Sequence, residues 1–562
     1  MRSAQSIGAG NTTGLPRFVL TSLEVAMPQA SALTNSVTVD PRAVGARRWW
    51  ACGALVLAGL MVGLDSTILS VALPTLARSL HASESDLQWF SSGYLLVLAA
   101  AMLPLGLLGD RYGRKKVLLA SLALFAVGSA ACAASPSAGA FIASRLLLGI
   151  AGAGLVVMGF ATLPVMFSEA ERPRAVGIMA AATFVSLPLG PILGGWLLTH
   201  AWWGWVFLIN VPVAVVALIA TVTLVPASRA HERPGLDPVG VGLSIVGLVA
   251  LIYGLIQAGQ HGWSSAGALA EMVGGVSVLV AFFVWEGRLR SRPGGQPLLD
   301  LALFRSRSYT WGVILSAIAI FAMFGVLFTM PQYFQGVLGT SPMSSGLRLL
   351  PMIGGLVLAA VPADRIARLV GAKIAVALGF AILAAGLLLG TRTSVGSSSL
   401  FIAGWMALVG LGMGLALATA MSAALSELSA ERSGVGAAAL QAINKLGGPL
   451  GTAVLGSLLS TAYLAHLAVA GLPAAASIAA RQSIFGAVAV AQKIHSTALL
   501  ASAHTAFVNG MDLALLVSAA IALAGLALTV AFLPNTTTVT ATDQPPAKAL
   551  AGGLQVKAAE LR

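Results

Sequence analysis

The sequence predicts an all-α integral membrane protein with 14 spanning helices, and three observations carry this reading. Of 562 residues, 57% are apolar and only 9% are Asp, Glu, Lys or Arg, whereas soluble domains carry about 25% charged residues. The 32 basic and 19 acidic side chains cannot clothe a water-soluble surface on a chain this long, and the mean hydropathy of +0.90 agrees. Apolar runs of the length needed to cross a bilayer, about 20 residues each, recur along the chain. Basic residues are dense in every second interval between those runs.

The elements follow in order. Residues 1–48 are polar and rich in Ala, Ser and Thr, with no apolar core of the signal-peptide kind. They are expected to form a disordered cytoplasmic tail, within which Met27 is an alternative start to Met1. A first six-helix bundle, 49–226, contains runs at 50–73, 89–109, 116–134, 140–163, 174–198 and 205–226. An insertion, 227–308, contributes spans 7 and 8 (238–257 and 267–285) and a basic loop, 286–308. A second bundle, 309–533, contains runs at 309–330, 346–364, 372–390, 400–422, 434–463 and 511–533. Between its last two runs, 464–510 is Ala-rich; its apolar piece 484–492 is too short to span and is read as part of an outer surface hairpin. Residues 534–562 are expected to be a second disordered tail.

With the N-terminus placed in the cytoplasm, inner tails and loops hold 25 of the 32 Lys and Arg, outer loops hold five and spans hold two. That asymmetry is the positive-inside signal. It puts both termini in the cytoplasm of a multi-pass cell-membrane protein. It also accounts for the net charge of +13 without nucleic acid as a partner. Cys52 and Cys132 sit in separate apolar runs and read as small buried side chains rather than a disulfide framework or thiolate metal site. The seven histidines fall in expected loops or at span ends. No nucleophile–base arrangement or phosphate-binding loop can be drawn, so no enzyme, cofactor or metal site is expected and energy should come from an ion gradient.

The chain repeats itself with an offset of eight spans. Ala170-Glu171-Arg172 after span 4 answers Ala430-Glu431-Arg432 after span 12, and Asp110-Arg111 after span 2 answers Asp364-Arg365 after span 10. Gly190-Pro191 in span 5 answers Gly448-Pro449 in span 13. Spans 1–6 therefore match spans 9–14, and repeated halves with a site between them suit alternating access.

Ionisable residues at membrane depth are costly and functional by default. Asp65 is the carboxylate clearly inside a span, either a proton carrier or a structural acceptor; Arg145 and Lys445 are the span-embedded cations. Lys445 either faces substrate or snorkels and pairs at a helix end. Phe324 and Phe328, with Gln441 and Lys445, are candidate cavity residues; at helical spacing the aromatics equally suit packing.

The stretch Gly106-Leu107-Leu108-Gly109-Asp110-Arg111-Tyr112-Gly113-Arg114-Lys115-Lys116 resembles the inner-loop motif of the major facilitator superfamily. Gly106, Asp110, Arg111, Gly113 and Arg114 would then form a gating loop, against the simpler reading of an orienting basic loop. Leu64-Asp65-Ser66-Thr67 through Pro74, then Phe207-Leu208-Ile209-Asn210-Val211-Pro212, look like the first- and sixth-helix signatures of the fourteen-spanner drug:proton antiporters. Gly177, Gly190, Pro191, Gly194 and Gly195 resemble their antiporter motif, with Ser186 where glycine is usual. Arg145-Leu146-Leu147-Leu148-Gly149 resembles the Arg-x-x-Gln-Gly of that family, with Leu148 replacing Gln. The resemblance implies a role for Arg145 in proton transfer, against a structural ion pair. The 464–510 hairpin is similar to that of quaternary-ammonium pumps, but Leu440–Lys445 lacks the carboxylates usual there. The resemblance implies a major facilitator fold, acting as a monomer among membrane lipids and exporting small lipophilic drugs or antibiotics in exchange for protons. The alternatives are export of a metabolite the cell makes, or, from another class, a channel or membrane receptor.

Overall fold

The computed structural model describes residues 47–168, 171–228, 237–292, 298–299, 301–426, 428 and 430–534. The expected disordered tails and Met27 lie almost wholly outside these residues. Among the described residues twelve helices are long and apolar enough to cross a membrane. They are α1 (Arg47–Ser79), α2 (Glu84–Tyr112), α3 (Arg114–Ala133), α4 (Ala138–Met166), α6 (Trp205–Leu224), α7 (Pro238–His261), α8 (Ala266–Arg290), α9 (Arg307–Val337), α10 (Pro342–Ala360), α11 (Ala372–Gly390), α12 (Ser399–Ser426) and α14 (Thr497–Phe532). Two further helices of 29 and 37 residues, α5 (Arg172–His200) and α13 (Ala430–His466), occupy the fifth and thirteenth places. The fold is the fourteen-helix arrangement expected.

Local chemistry sets the ends. Ser83 and Asp86 form a reciprocal capping box that starts α2. Ser137, Ser306, Ser341 and Ser496 cap α4, α9, α10 and α14 through their hydroxyls. Gly113, at φ +111°, lets α2 turn directly into α3, and Gly371, at φ +89°, does the same before α11. A side chain is strained at such φ values, so both halves solve this joint with glycine.

The halves pack by one rule. In the first, α1 lies on α5, α2 on α4, and α3 on α4 and α6; in the second, α9 lies on α13, α10 on α12, and α11 on α12 and α14. Every pair maps onto its counterpart by adding eight. The contacts between bundles, α2 with α13 and α5 with α10, exchange under the same operation, which is an approximate two-fold. The inserted α7 and α8 pack on each other, and α7 lies against both α2 and α13, so the insertion covers one of the two seams.

The region 464–510 differs from its expected hairpin. Two short helices, Ala474–Gln482 and Ile484–Lys493, are followed at Thr497 by α14, which runs unbroken to Phe532. Ser496 starts it, no proline interrupts it, and Ala503, Ala506 and Phe507 are buried well before the apolar run at 511. Two corrections follow. His504, expected in a loop, lies within α14, and Asp512, expected at a span edge, lies in its interior, so Asp65 is not alone as a span-embedded carboxylate. The end of the tenth span also shifts: α10 stops at Ala360 and a short helix, Ala363–Val370, precedes Gly371.

Candidate functional site

Asp65 on α1 and Arg145 on α4 meet inside the first bundle, with Nη1 2.5 Å from Oδ2 and both side chains essentially without solvent exposure. Arg145 also donates from Nε to the Phe90 carbonyl of α2 (3.1 Å), and its guanidinium lies over the Tyr94 ring at 4.3 Å. Tyr94 OH donates to the Val62 carbonyl (3.4 Å), tying α2 to α1. The other carboxylate oxygen, Asp65 Oδ1, has no hydrogen-bond partner among the described residues. Taking two charges out of water is expensive and is offset only by good mutual geometry. The free lone pairs of Oδ1 are where a proton can add without first displacing another donor. The two candidates singled out for proton coupling are thus joined in one pair across 80 residues of sequence.

A second polar group joins the bundles at the end where α1 turns into α2 and α9 into α10. Gln332 Nε2 donates to Glu84 Oε1 (3.2 Å), Gln335 Nε2 to the Val71 carbonyl (3.0 Å), and Ser457 Oγ to Gln88 Oε1 (3.4 Å). All of these side chains are buried. Sequence reasoning missed them because Glu84 precedes the apolar run of its helix and glutamines carry no charge. The Ser83-x-x-Asp86 capping box, which places Glu84 inside α2, was the available signal.

At the opposite end, Asp110 accepts from Arg114 Nε at 2.9 Å and Nη2 at 2.8 Å. Arg114 Nη1 donates onward to the Ala161 carbonyl of α4 (2.9 Å). The backbone N–H of Arg114 donates to the Ser228 carbonyl beyond α6 (2.9 Å), so this joint holds three helices. Gly109 meets the Met158 sulfur, a Cβ on Gly106 would touch Val157 at 3.4 Å, and Arg111 lies over its neighbour Tyr112. The residues expected to form a gating loop are therefore gathered at one place.

The motif glycines of α5 divide. Gly190 and Gly194 lie against Thr67 and Ile68 of α1, where any Cβ would collide. Gly195 and Pro191 face the other bundle: a Cβ on Gly195 would stand 2.8 Å from the Met343 Cα, and Gly346 of α10 lies on the Pro191 carbonyl. Gly177 is separate, exposed, with nothing within 4 Å among the described residues. Ser186, the departure from the motif, packs on Gly63 and accepts from Thr67 at its carbonyl (3.3 Å).

The cavity candidates also divide. Phe328 is buried in the core, with its ring against Gly456, whereas Phe324, Gln441 and Lys445 are only half-buried. On α13, Asn444 accepts from Ser316 of α9 (2.7 Å), and Gly448 lies between Leu95 and Phe324.

Residues 55–452 match the Major Facilitator Superfamily, and the chain belongs to that family of transporters. Among its relatives is the tetracenomycin C resistance and export protein of Streptomyces glaucescens, 34% identical over 86% of this chain and 91% of that one. Another is the multidrug efflux pump LfrA of Mycolicibacterium smegmatis, 35% identical over 88% of this chain and 97% of that one. A solved bacterial homologue of the human lysosomal transporter Spinster shares the fold, with TM-score 0.63 at 13% identity over 86% of this chain and 96% of its own.

Proposed function

We propose that this protein exports lipophilic drugs or antibiotics across the cytoplasmic membrane in exchange for protons, with both termini in the cytoplasm. The observation that carries the reading is the buried Asp65–Arg145 pair, placed inside one bundle of a fold whose relatives are named for resistance and export. The charge asymmetry of the loops supports the orientation. In that orientation the polar seam around Glu84 and Gln332 closes the outer end, and the Asp110–Arg114 joint lies at the cytoplasmic end.

The cycle follows from two-state logic. A proton arriving at Asp65 Oδ1 removes the attraction that holds α1 to Arg145 of α4. A bound substrate and a bound proton each favour one arrangement of the two bundles, and a ligand shifts that balance only by its differential affinity for the two states. Competition between them couples the fluxes. Export of a compound the cell makes itself would be the same activity, and a relative named for both resistance and export favours keeping that reading.

The test is a susceptibility screen of expressing against empty-vector bacteria, with tetracenomycin C and cationic, neutral and anionic lipophilic compounds. A raised inhibitory concentration for at least one compound, abolished by a protonophore, is expected. Unchanged susceptibility throughout, or protection that survives the protonophore, contradicts the reading.

A further inference from the structure

Helix α13 presents one face to the partner bundle. Gly448 on that face meets Leu95 of α2, and Gly456, two turns on, meets Gln88 of α2. With 3.6 residues per turn, Lys445 falls on the same face, one turn nearer the cytoplasmic end. Its neighbours fix the assignment: Asn444, about 100° to one side, bonds Ser316 of α9, and Leu446, on the other, packs into the cluster around α7. Lys445 therefore points between the bundles, toward α2.

No hydrogen bond or ion pair holds the Lys445 ammonium among the described residues. The Lys445 side chain as a whole is half-buried. Across from it, α2 carries no charged residue between Asp86 and Asp110. Inside the first bundle, Asp65 of α1 and Arg145 of α4 neutralise each other. Glu84 is bonded to Gln332 at the outer end, and Asp512 lies on α14, which packs behind α9, α11 and α13. Among the described residues, the middle of the space between the bundles thus holds one uncompensated charge, and it is positive. Phe324, beside Gly448, adds an aromatic face, and Gln441, one turn away, adds a neutral polar group.

We propose that Lys445 is the counter-ion for substrates that carry a single acidic group, so that the cavity favours lipophilic aromatic anions over permanent cations. This rests on the export reading above and narrows its substrate class. Opposite charges attract and like charges repel strongly where solvent screening is weak, so the selectivity is a difference between probes of one shape.

Three probes of matched ring system test it: 9-anthracenecarboxylate, 9-anthracenecarboxamide and 9-anthracenylmethyl-trimethylammonium. Binding to the full-length protein is measured by calorimetry, and transport by proteoliposomes with an imposed pH gradient. The wild type should bind the carboxylate at least about tenfold more tightly than the carboxamide, which is about 1.4 kcal/mol, and the trimethylammonium most weakly. Lys445→Met should bring the carboxylate-to-carboxamide ratio close to one, Lys445→Arg should keep it, and Lys445→Glu should favour the trimethylammonium. An unchanged ratio in Lys445→Met, a wild type that prefers the cation, or no binding of the carboxylate overturns the proposal. Charge-selective binding without gradient-driven movement of any probe would leave the proposal standing and sink the export reading.

Discussion

Asp65 and Arg145 each depend on the other, because both are buried and no other ion pair reaches either of them among the described residues. Breaking a buried pair by removing one partner costs about 3–5 kcal/mol, since the survivor is left uncompensated. Asp65→Asn should therefore lower the melting temperature of the purified protein and abolish pH-gradient-driven efflux together. A structural role and a coupling role are separated by the double variant Asp65→Asn with Arg145→Met. Removing both charges should restore much of the melting temperature while transport stays independent of the proton gradient. Recovery of proton-driven efflux in the double variant would show that the proton travels elsewhere. The individual charges were legible in the sequence because an ionisable group in an apolar run stands out. Their pairing was not, since nothing in a spacing of 80 residues specifies a contact that only the packing of α1 on α4 creates. The same holds for the Glu84–Gln332 contact, which joins residues 248 apart.

Helix α5 carries an internal control for how close two bundles come. A Cβ on Gly195 would stand within 3 Å of the Met343 backbone and the Pro342 carbonyl on α10, whereas Gly177 on the same helix has open space. Overpacking typically costs about 1–3 kcal/mol, and at Gly195 the strain is relieved by parting the bundles at that end. Gly195→Leu should shift the population toward the state open there, read as faster labelling of a cysteine placed at Met343. Gly177→Ala should leave that labelling unchanged and add helix stability of about 0.5–1 kcal/mol. Equal labelling in wild type and Gly195→Leu would mean that α5 and α10 do not part. At the other end, the Asp110–Arg114 pair is partly exposed, so as an i,i+4 ion pair it is worth only about 0.3–0.5 kcal/mol. Its larger effect comes through Arg114, which Asp110 aims at the Ala161 carbonyl. Asp110→Ala should leave the melting temperature within about a degree or two while slowing transport several-fold; a large loss of stability with normal transport would make the loop a fastener and not a gate. Spans were legible as elements because length and hydropathy set them. The start of α14 was not: Thr497–Gly510 is Ala-rich but interrupted by His504 and Asn509, so hydropathy alone sets no start there, and packing against the short helix Ile484–Lys493 carries the helix back to Thr497.

At the scale of the whole molecule, the offset of eight spans seen in short motifs reappears as a packing rule, with the main helix contacts of the first half, α1 on α5, α2 on α4 and α3 on α4 and α6, repeated in the second. Symmetric halves joined by two equivalent seams can exchange which end is open by rocking, and α7 and α8 cover only the α2–α13 seam. That architecture was readable from the repeated Gly-Pro and Asp-Arg pairs, because duplicated local sequence folds into duplicated local structure. Which side chains face the seam was not readable, since a helix in a bundle is apolar nearly all round and its orientation is decided by neighbours. The most direct test of proton-coupled export follows both fluxes at once. Proteoliposomes containing the full-length protein, loaded with a pH indicator, are given tetracenomycin C or 9-anthracenecarboxylate on one side and no initial pH gradient. Substrate moving down its gradient should drive protons the opposite way, and Asp65→Asn with Arg145→Met should lose the proton signal. Substrate flux with no proton movement, or protons moving in the same direction as substrate, would contradict antiport.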